Sequence, residues 1–312
     1  MKFSVTIPAY KSRYFLDAIK SIVSQTYSDW ELIIVDDCSP EDLYTIVEPF
    51  LKDKRIHYYH NEKNCGAINV VDNWNICLNY CTGDYVVCMG DDDRLLSCCL
   101  EEYKKLIEQN PGLNVYHTRT EIIDEDGKVV NLQESRPEWE SALSLIWNRW
   151  NHRNKQFIGD FCYRTDYLKQ AGGYHKLPLA WGSDDITAVL AAKDKGIANM
   201  QTFGFQYREN TQTITQSSNY AKIKLIALRK NQEWFNGFLR NLAQATLSPS
   251  DSKYLATIEA QRYKYFYDAI APECIDYIHG KPWRLWWCMH HLAGFHYPVT
   301  TFIKWYIKSL WS

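Results

Sequence analysis

No uninterrupted apolar run long enough to cross a bilayer occurs in this sequence. The richest stretch, 282–311, is cut by Arg284, Pro298, Lys304 and Lys308, whereas a spanning helix needs about twenty apolar residues. Neither charge is in excess: with a formal net charge of -2 there is no global basic field, which excludes a protein that grips nucleic acid by its phosphates. No C-x-x-C pair accompanies the ten cysteines. No zinc site is therefore expected, and the thiols, Cys77 with Cys81 on one helix face and Cys98 beside Cys99, read as reduced packing groups. No export signal is expected either, because Pro8 interrupts the apolar start where a signal core would continue. A secreted disulfide scaffold is thus not expected. Neither internal repeats nor low-complexity tracts are present, which sets solenoids aside. With 46% hydrophobic and 23% charged residues over 312 positions, the chain has ample material for a core, and wholesale disorder is excluded.

What is present is a regular alternation. β-branched runs at 3–7, 31–35, 55–59 and 84–89 alternate with helical patterns at 14–25, 40–51 and 68–80, the signature of an α/β chain. Repeated alternation of this kind implies a mostly parallel, doubly wound sheet flanked by helices. Beyond it the patterns predict a helix at 97–109, a hairpin over 115–130 turning at Asp124-Glu125-Asp126-Gly127, and a helix near 141–150. A strand near 157–163, a break at Gly172-Gly173, a helix opening after Trp181-Gly182-Ser183-Asp184-Asp185 and a last strand at 200–207 follow. From about residue 220 the texture changes to long helical patterns at 220–245 and 252–271, separated by the breaker Leu247-Ser248-Pro249-Ser250. A boundary is expected near residue 215, giving an α/β domain over 1–215 and a helical C-terminal region over 216–312.

In parallel sheets ligands gather beyond the carboxyl ends of the strands, where loops converge and helix N-termini point N–H donors into the crevice. The strand ends here carry Pro8-Ala9-Tyr10, Asp36-Asp37-Cys38-Ser39, the segment 61–66, and Gly90-Asp91-Asp92-Asp93. Consecutive carboxylates are costly to hold together unless a cation or a donor network neutralises them. Oxygen-only ligands favour Mg²⁺ or Mn²⁺, and Mg²⁺ prefers one or two carboxylates plus substrate phosphates to a full protein cage. The implied substrate carries a diphosphate. The competing reading makes the triplet the cap and first turn of the next helix, where acidic residues are ordinary. Asp36-Asp37 repeats the arrangement one strand earlier. An acid there accepts from a ribose hydroxyl or a base N–H, or else caps a helix through Asp37 or Ser39, with Pro40 as first helical residue.

Taken in order, these motifs resemble those of a family 2 glycosyltransferase of the GT-A type. The resemblance is carried by Ile7-Pro8-Ala9-Tyr10, by Ser24-Gln25-Thr26-Tyr27 with Trp30-Glu31-Leu32-Ile33-Ile34-Val35-Asp36-Asp37-Cys38-Ser39, by Asn64-Cys65-Gly66, and by Gly83-Asp84-Tyr85-Val86-Val87 running into Asp91-Asp92-Asp93. It covers roughly residues 1–210 and is strongest to about residue 100. It implies a GT-A fold and a metal-dependent enzyme moving a sugar from a nucleotide diphosphate donor, UDP-linked, to an acceptor hydroxyl, in bacterial-type surface polysaccharide or glycolipid assembly. Pro8, Ala9 and Tyr10 would line the nucleotide pocket, Asp37 would contact the uracil or equivalent base, and the triplet would supply the metal motif. The family writes that motif Asp-x-Asp-Asp, and Gly90 stands at its first position, which leaves the ligand set open. Aligned on the strand, Asp92 is the metal ligand, Asp91 faces the ribose, and Asp93 stands behind it or on the acceptor side. Asn73 is expected either to touch the donor or to be a solvated helix position.

The acidic pair Asp184-Asp185 resembles the family's pair whose second member is the general base, a role that falls on Asp185; Asp184 or Ser183 would cap the helix. The implied reaction is a single in-line displacement with inversion, needing Mg²⁺ or Mn²⁺ and no other cofactor. Arg208 either folds over the diphosphate or is a solvated loop cation. The processive signature Gln-x-x-Arg-Trp is absent, so single additions are expected, onto a saccharide or lipid-linked saccharide acceptor. The tail 282–311 mixes Trp283, Trp286, Trp287, Phe295, Tyr297, Phe302, Trp305, Tyr306 and Trp311 with Arg284, Lys304 and Lys308. It reads either as a peripheral element in the headgroup region of a membrane, at its inner, cytoplasmic face, or as a helical lid or oligomer contact. Two other functions stay open. A sugar-phosphate nucleotidyltransferase would open with a Gly-rich phosphate loop, where this chain has Pro8-Ala9-Tyr10-Lys11. A binding-only homologue is suggested by Gly90 and opposed by Asp92 and Asp185.

Overall fold

In the computed structural model, which describes residues 1–210 and 218–311, the first strand β1 (Phe3–Ala9) pairs in parallel with β2 (Trp30–Asp36), setting Phe3 opposite Trp30 and Ala9 opposite Asp36. Between them α1 (Phe15–Val23) buries Phe15, Ala18, Ile19 and Ile22, the one-face stripe that drives an amphipathic helix onto a core. β2 is buried at every position, as a strand covered on both faces must be. Its buried acid Glu31 is held by Lys2 Nζ, Ser4 Oγ and the Thr82 N–H, each at 2.6 Å. Burial pushes that carboxyl up, but these donors outweigh it and hold it at about 2.

The helix expected at 40–51 is much shorter. Only α2 (Tyr44–Val47) and a 3₁₀ turn, Glu48–Phe50, form. Asp42 accepts from the Thr45 N–H at 3.1 Å and so opens the helix late; Pro49 lacks the N–H that would carry it on. β3 (Ile56–His60), α3 (Val70–Tyr80) and β4 (Tyr85–Cys88) follow, with β3, β2, β1 and β4 lying side by side in parallel.

The rest of this layer is mixed. β5 (Arg94–Leu95), α4 (Cys99–Gln109), β6 (Val115–Ile123), β7 (Val129–Leu132), β8 (Trp139–Glu140), α5 (Ala142–Trp150), β9 (Phe161–Arg164), α6 (Thr165–Gln170), α7 (Ser183–Ala192) and β10 (Ile197–Arg208) complete it. The strand order is β3-β2-β1-β4-β9-β6-β10-β5, with β7 on β6 and β8 on β10. β9 runs antiparallel to both β4 and β6, and β6 runs parallel to β10. The parallel sheet read from the sequence is therefore one half of a longer mixed sheet, since residue pattern marks a strand without giving its direction. Two reversals leave β6 and β10 running the same way as β1. The carboxyl end of β10 consequently arrives at the rim that already holds the ends of β1, β2 and β4.

The chain divides into two compact units: Met1–Lys176 with Ser183–Asn210, and Leu177–Gly182 with the chain from Thr211 onward. The boundary expected near residue 215 lies outside the described residues. The second unit contains α8 (Ala221–Leu242), α9 (Pro249–Ile278), α10 (Pro282–His291) and α11 (Val299–Ser309). Leu247-Ser248-Pro249-Ser250, read as a breaker, is a helix start: Ser248 Oγ accepts from the Asp251 N–H at 3.1 Å and Pro249 is the first helical residue. α9 also runs through Pro272 to Ile278, past the end expected at 271.

Candidate functional site

The end of β2 turns on two aspartates with different partners. Asp36 accepts the Ser39 N–H at 2.8 Å and the Tyr58 hydroxyl at 2.6 Å, so it closes the turn and ties β2 to β3. Asp37 faces the rim. Its N–H donates to the Ala9 carbonyl at 2.9 Å, and its Oδ1 accepts from Asn61 Nδ2 and from the Cys65 N–H, each at 2.9 Å. Asn64 Nδ2 donates to the Asp37 carbonyl at 2.7 Å. Burial, and after it the Asp37 carboxylate, pushes the Cys65 thiol up to about 12, which keeps it a neutral neighbour. Neither aspartate caps a helix, for α2 starts only at Tyr44. Asn73, expected to touch the donor or solvent, is not a solvated helix position. It is 2% exposed, donating to the Val35 carbonyl at 3.2 Å and accepting from Asn61 Nδ2 at 3.1 Å. An amide whose donor and acceptor are both engaged inside the protein positions Asn61, and through it Asp37, from behind.

Of the three residues that end and follow β1, Ala9 is buried in the core, Pro8 is half-buried and Tyr10 is exposed. Their backbone is fixed by the triplet: Asp91 Oδ2 accepts the Tyr10 and Lys11 N–H groups, each at 2.7 Å. Asp93 Oδ1 accepts the Arg208 N–H at 3.0 Å, and its Oδ2 the Gly90 N–H at 3.3 Å. Asp92 is the least buried of the three; Asn210 Nδ2 donates to its Oδ2 at 2.8 Å. The triplet is not a helix cap, because the residues after it form β5 and α4 starts only at Cys99.

Crowding has an electrostatic cost. Burial, then the charge of Asp92, pushes Asp91 up to about 6, and the same two causes push Asp93 well above the ordinary carboxylate range. Burial and the charges of Asp93, Asp92, Glu209 and Asp184 also raise Tyr207. Among the described residues no three His, Cys, Asp or Glu side chains form a protein cage for a metal. The donor set instead fits a divalent ion held by one half-buried carboxylate, Asp92, and by substrate phosphates, with its positive charge relieving the crowding. Gly90 suits this arrangement. A Cβ there would lie 2.8 Å from Asp92 Oδ1 and 2.9 Å from Asp93 Oδ2, so an aspartate in its place would turn both carboxylates away.

Arg208 is not a solvated cation. It is 1% exposed, donating from Nε to the Asp92 carbonyl at 2.9 Å and from Nη1 to the Asp124 and Glu125 carbonyls at 3.0 and 3.1 Å. It pins the acidic loop to the hairpin turn. Asp184 and Asp185 lie in the first turn of α7. Arg149 Nε, from α5, lies 2.9 and 3.1 Å from the two oxygens of Asp185. Burial and then the charge of Asp185 push Asp184 up to about 7, so one member of the pair holds its proton more readily than an ordinary aspartate.

A family model described as glycosyl transferase family 2 matches residues 4–171, more than half of the chain. The chain belongs to glycosyl transferase family 2. Among relatives in the family, Bacillus subtilis EpsE, named as a glycosyltransferase, is 31% identical over 223 residues, covering 70% of this chain and 76% of EpsE. The GalNAc(5)-diNAcBac-PP-undecaprenol beta-1,3-glucosyltransferase of Campylobacter jejuni is 38% identical over 101 residues, 32% of each chain. An uncharacterized glycosyltransferase of Rickettsia bellii is 34% identical over 128 residues, and the match spans 41% of this chain but only 18% of that longer protein. Solved structures share the fold. TarS 1–349 of S. aureus in complex with UDP-GlcNAc matches with a TM-score of 0.63 over 98% of this chain and 89% of that one, at 17% identity. The mannosyltransferase PcManGT from Pyrobaculum calidifontis, in complex with GDP-Man and Mn²⁺, matches with a TM-score of 0.52 over 98% and 85%, at 13% identity. At such identities the likeness establishes architecture, and that architecture is the expected GT-A fold.

For this family 2 chain the rim thus gathers Pro8, Ala9, Tyr10, Asp37, Asp91 and Asp92, with Asn73 one layer behind. Reading the sequence alone missed four partners. Asn61 and Cys65 lay inside a segment already marked as a strand end, where spacing does not say which side chain turns to Asp37. Asn210 and Arg149 carried no signal, because their partners are 118 and 36 positions away.

Proposed function

We propose that this chain is an inverting, metal-dependent glycosyltransferase that moves a sugar from a UDP-linked donor to a hydroxyl of a saccharide or lipid-linked saccharide acceptor, in surface polysaccharide or glycolipid assembly. The observation that carries the reading is the shared rim: Asp37 follows β2 and Asp91 and Asp92 follow β4, on either side of the parallel β1, and Asp91 is tied to the Tyr10 and Lys11 N–H groups at 2.7 Å. In this reading Asp37 accepts from the base, the 8–10 backbone held by Asp91 forms the nucleotide wall, and Asp92 holds Mg²⁺ or Mn²⁺. The ion, when bound, stabilises negative charge on the departing diphosphate. Asp185 takes the acceptor proton as that oxygen bonds to C1 and the bond from C1 to the diphosphate oxygen breaks. Arg149 orients the Asp185 carboxylate toward the acceptor side. The UDP-GlcNAc complex of TarS supports the uridine donor, and the undecaprenol-linked acceptor in the name of the Campylobacter relative supports a lipid-linked one.

The test is turnover of a panel of UDP-, GDP- and dTDP-sugars with and without Mn²⁺, beside Asp92→Ala and Asp185→Ala. Asp92→Ala is expected to lose donor binding along with turnover. Asp185→Ala is expected to keep donor binding and lose transfer, by about 10²- to 10⁴-fold. Normal turnover in either variant rejects the role assigned to it.

A further inference from the structure

From Tyr277 to Ser312 the sequence has Lys281, Arg284, Lys304 and Lys308 and no aspartate or glutamate, in a chain with 37 acidic and 35 basic residues. Folding sorts the apolar groups of this cationic segment into two sets. One faces inward: Phe295, Tyr297, Phe302 and Trp305 are buried, with Trp305 ring-packed at 5.6 Å on Tyr267 of α9 and at 5.5 Å on Tyr297. The other faces out. Trp283 and Trp286 of α10 are 61% and 64% exposed. On α11, Val299, Ile303 and Ile307 recur at four-residue spacing and continue into Leu310 and Trp311, all exposed. Such spacing lines one side of a helix, and Lys304 and Lys308 are exposed beside it. The core demanded one face of α11; nothing in the fold demanded that its solvent face be apolar.

α10 and α11 have 10 and 11 residues, and among the described residues no helix is long and apolar enough to cross a membrane. We propose that this face of α10 and α11 docks in the plane of an anionic phospholipid surface. Tryptophans take the headgroup level, the aliphatic stripe enters the acyl boundary, and the lysines meet lipid phosphates. Charge selects the lipid over a second copy of the chain. A two-fold contact through this face would set cations against the same cations with no acid between them, whereas an anionic leaflet attracts them. The inference is independent of the nucleotide site.

The experiment is flotation of the full chain with vesicles of phosphatidylcholine alone and of phosphatidylcholine with phosphatidylglycerol, together with quenching of tryptophan emission by brominated lipid. Binding is expected to the phosphatidylglycerol vesicles and to weaken with salt. The double variant Lys304→Glu with Lys308→Glu should lower the partition coefficient by at least about tenfold, at about fivefold per lysine. Ile303→Asn with Ile307→Asn should abolish quenching. UDP binding and far-UV circular dichroism should be unchanged in both, as the altered side chains are exposed. Absence of binding to either vesicle, or equal binding by wild type and both variants, overturns the proposal. So does a dimer in sedimentation that the isoleucine variant returns to monomer while vesicle binding is nil.

Discussion

Replacing Asp37 by asparagine separates what this residue does for the fold from what it does for a ligand. Its Oδ1 accepts two donors at 2.9 Å, Asn61 Nδ2 and the Cys65 N–H. An asparagine satisfies both with its amide oxygen, and those donors then force its NH₂ into the place of Oδ2. The rim keeps its shape but presents a donor where the carboxylate presented an acceptor. A hydrogen bond to a charged group contributes about 1.5–3 kcal/mol, and about 1.4 kcal/mol is a factor of ten in affinity. UDP binding should therefore weaken by about 10- to 150-fold in Asp37→Asn, with the melting temperature little changed. CDP, whose ring nitrogen accepts where that of uracil donates, should weaken less. Asp37→Ala differs, because it takes the acceptor from two half-buried donors, of which the Asn61 amide keeps Asn73 Oδ1 at 3.1 Å, and should lose stability as well as affinity. Calorimetric titration of UDP and CDP into the three proteins, beside urea unfolding, measures all of this. Wild-type UDP affinity in Asp37→Asn would refute the placement of the base at this strand end.

Arg149→Gln should leave the donor Kd unchanged and lower kcat on the order of a hundredfold, the usual cost of a reacting group about 1 Å out of place; a change in donor Kd with kcat intact would contradict the positioning role. Asp184 is held at about 7 against an ordinary 3.8. A carboxyl whose folded value is raised stabilises the fold below its unfolded value and loses that contribution as pH rises through the folded one. The stability of Asp184→Asn relative to wild type should thus grow from about pH 4 to about pH 7, and a gap that is flat with pH in thermal melts would refute the burial argument. Ser248→Ala removes the acceptor of the Asp251 N–H and should cost about 1 kcal/mol in urea unfolding, while Ser248→Asp should not. Equal stability of the alanine variant would mean that α9 starts without its cap.

Much of the site was legible because its signals are local. β1, β2 and β4 are apolar runs that end in Pro8-Ala9-Tyr10, Asp36-Asp37 and the acidic triplet, and a parallel strand delivers its carboxyl end to one rim whatever follows it. Turn chemistry was less legible. Whether Asp37 or Asp42 opens the next helix depends on competition for the same backbone donors, and Ser248-Pro249 reads equally as an end or a beginning until the neighbouring packing is known. Long-range geometry was not legible at all. Arg208 and Asn73 are polar residues that a sequence places at a surface. Only the arrival of β10 at the triplet buries Arg208 against the Asp124 and Glu125 carbonyls, and only the pairing of α3 with β2 gives Asn73 the Val35 carbonyl.

By itself, then, the order of residues determined which segments become strands and helices, and that acids end β2 and β4, because periodicity and strand-end chemistry act over a few residues. The tertiary structure alone decided which acid oxygens are spent on backbone amides and which stay open, that Arg149 meets Asp185, and which tail aromatics face out. Those outcomes depend on groups far apart in sequence competing for a limited number of donors and a limited interior, a competition resolved only once the sheet has assembled.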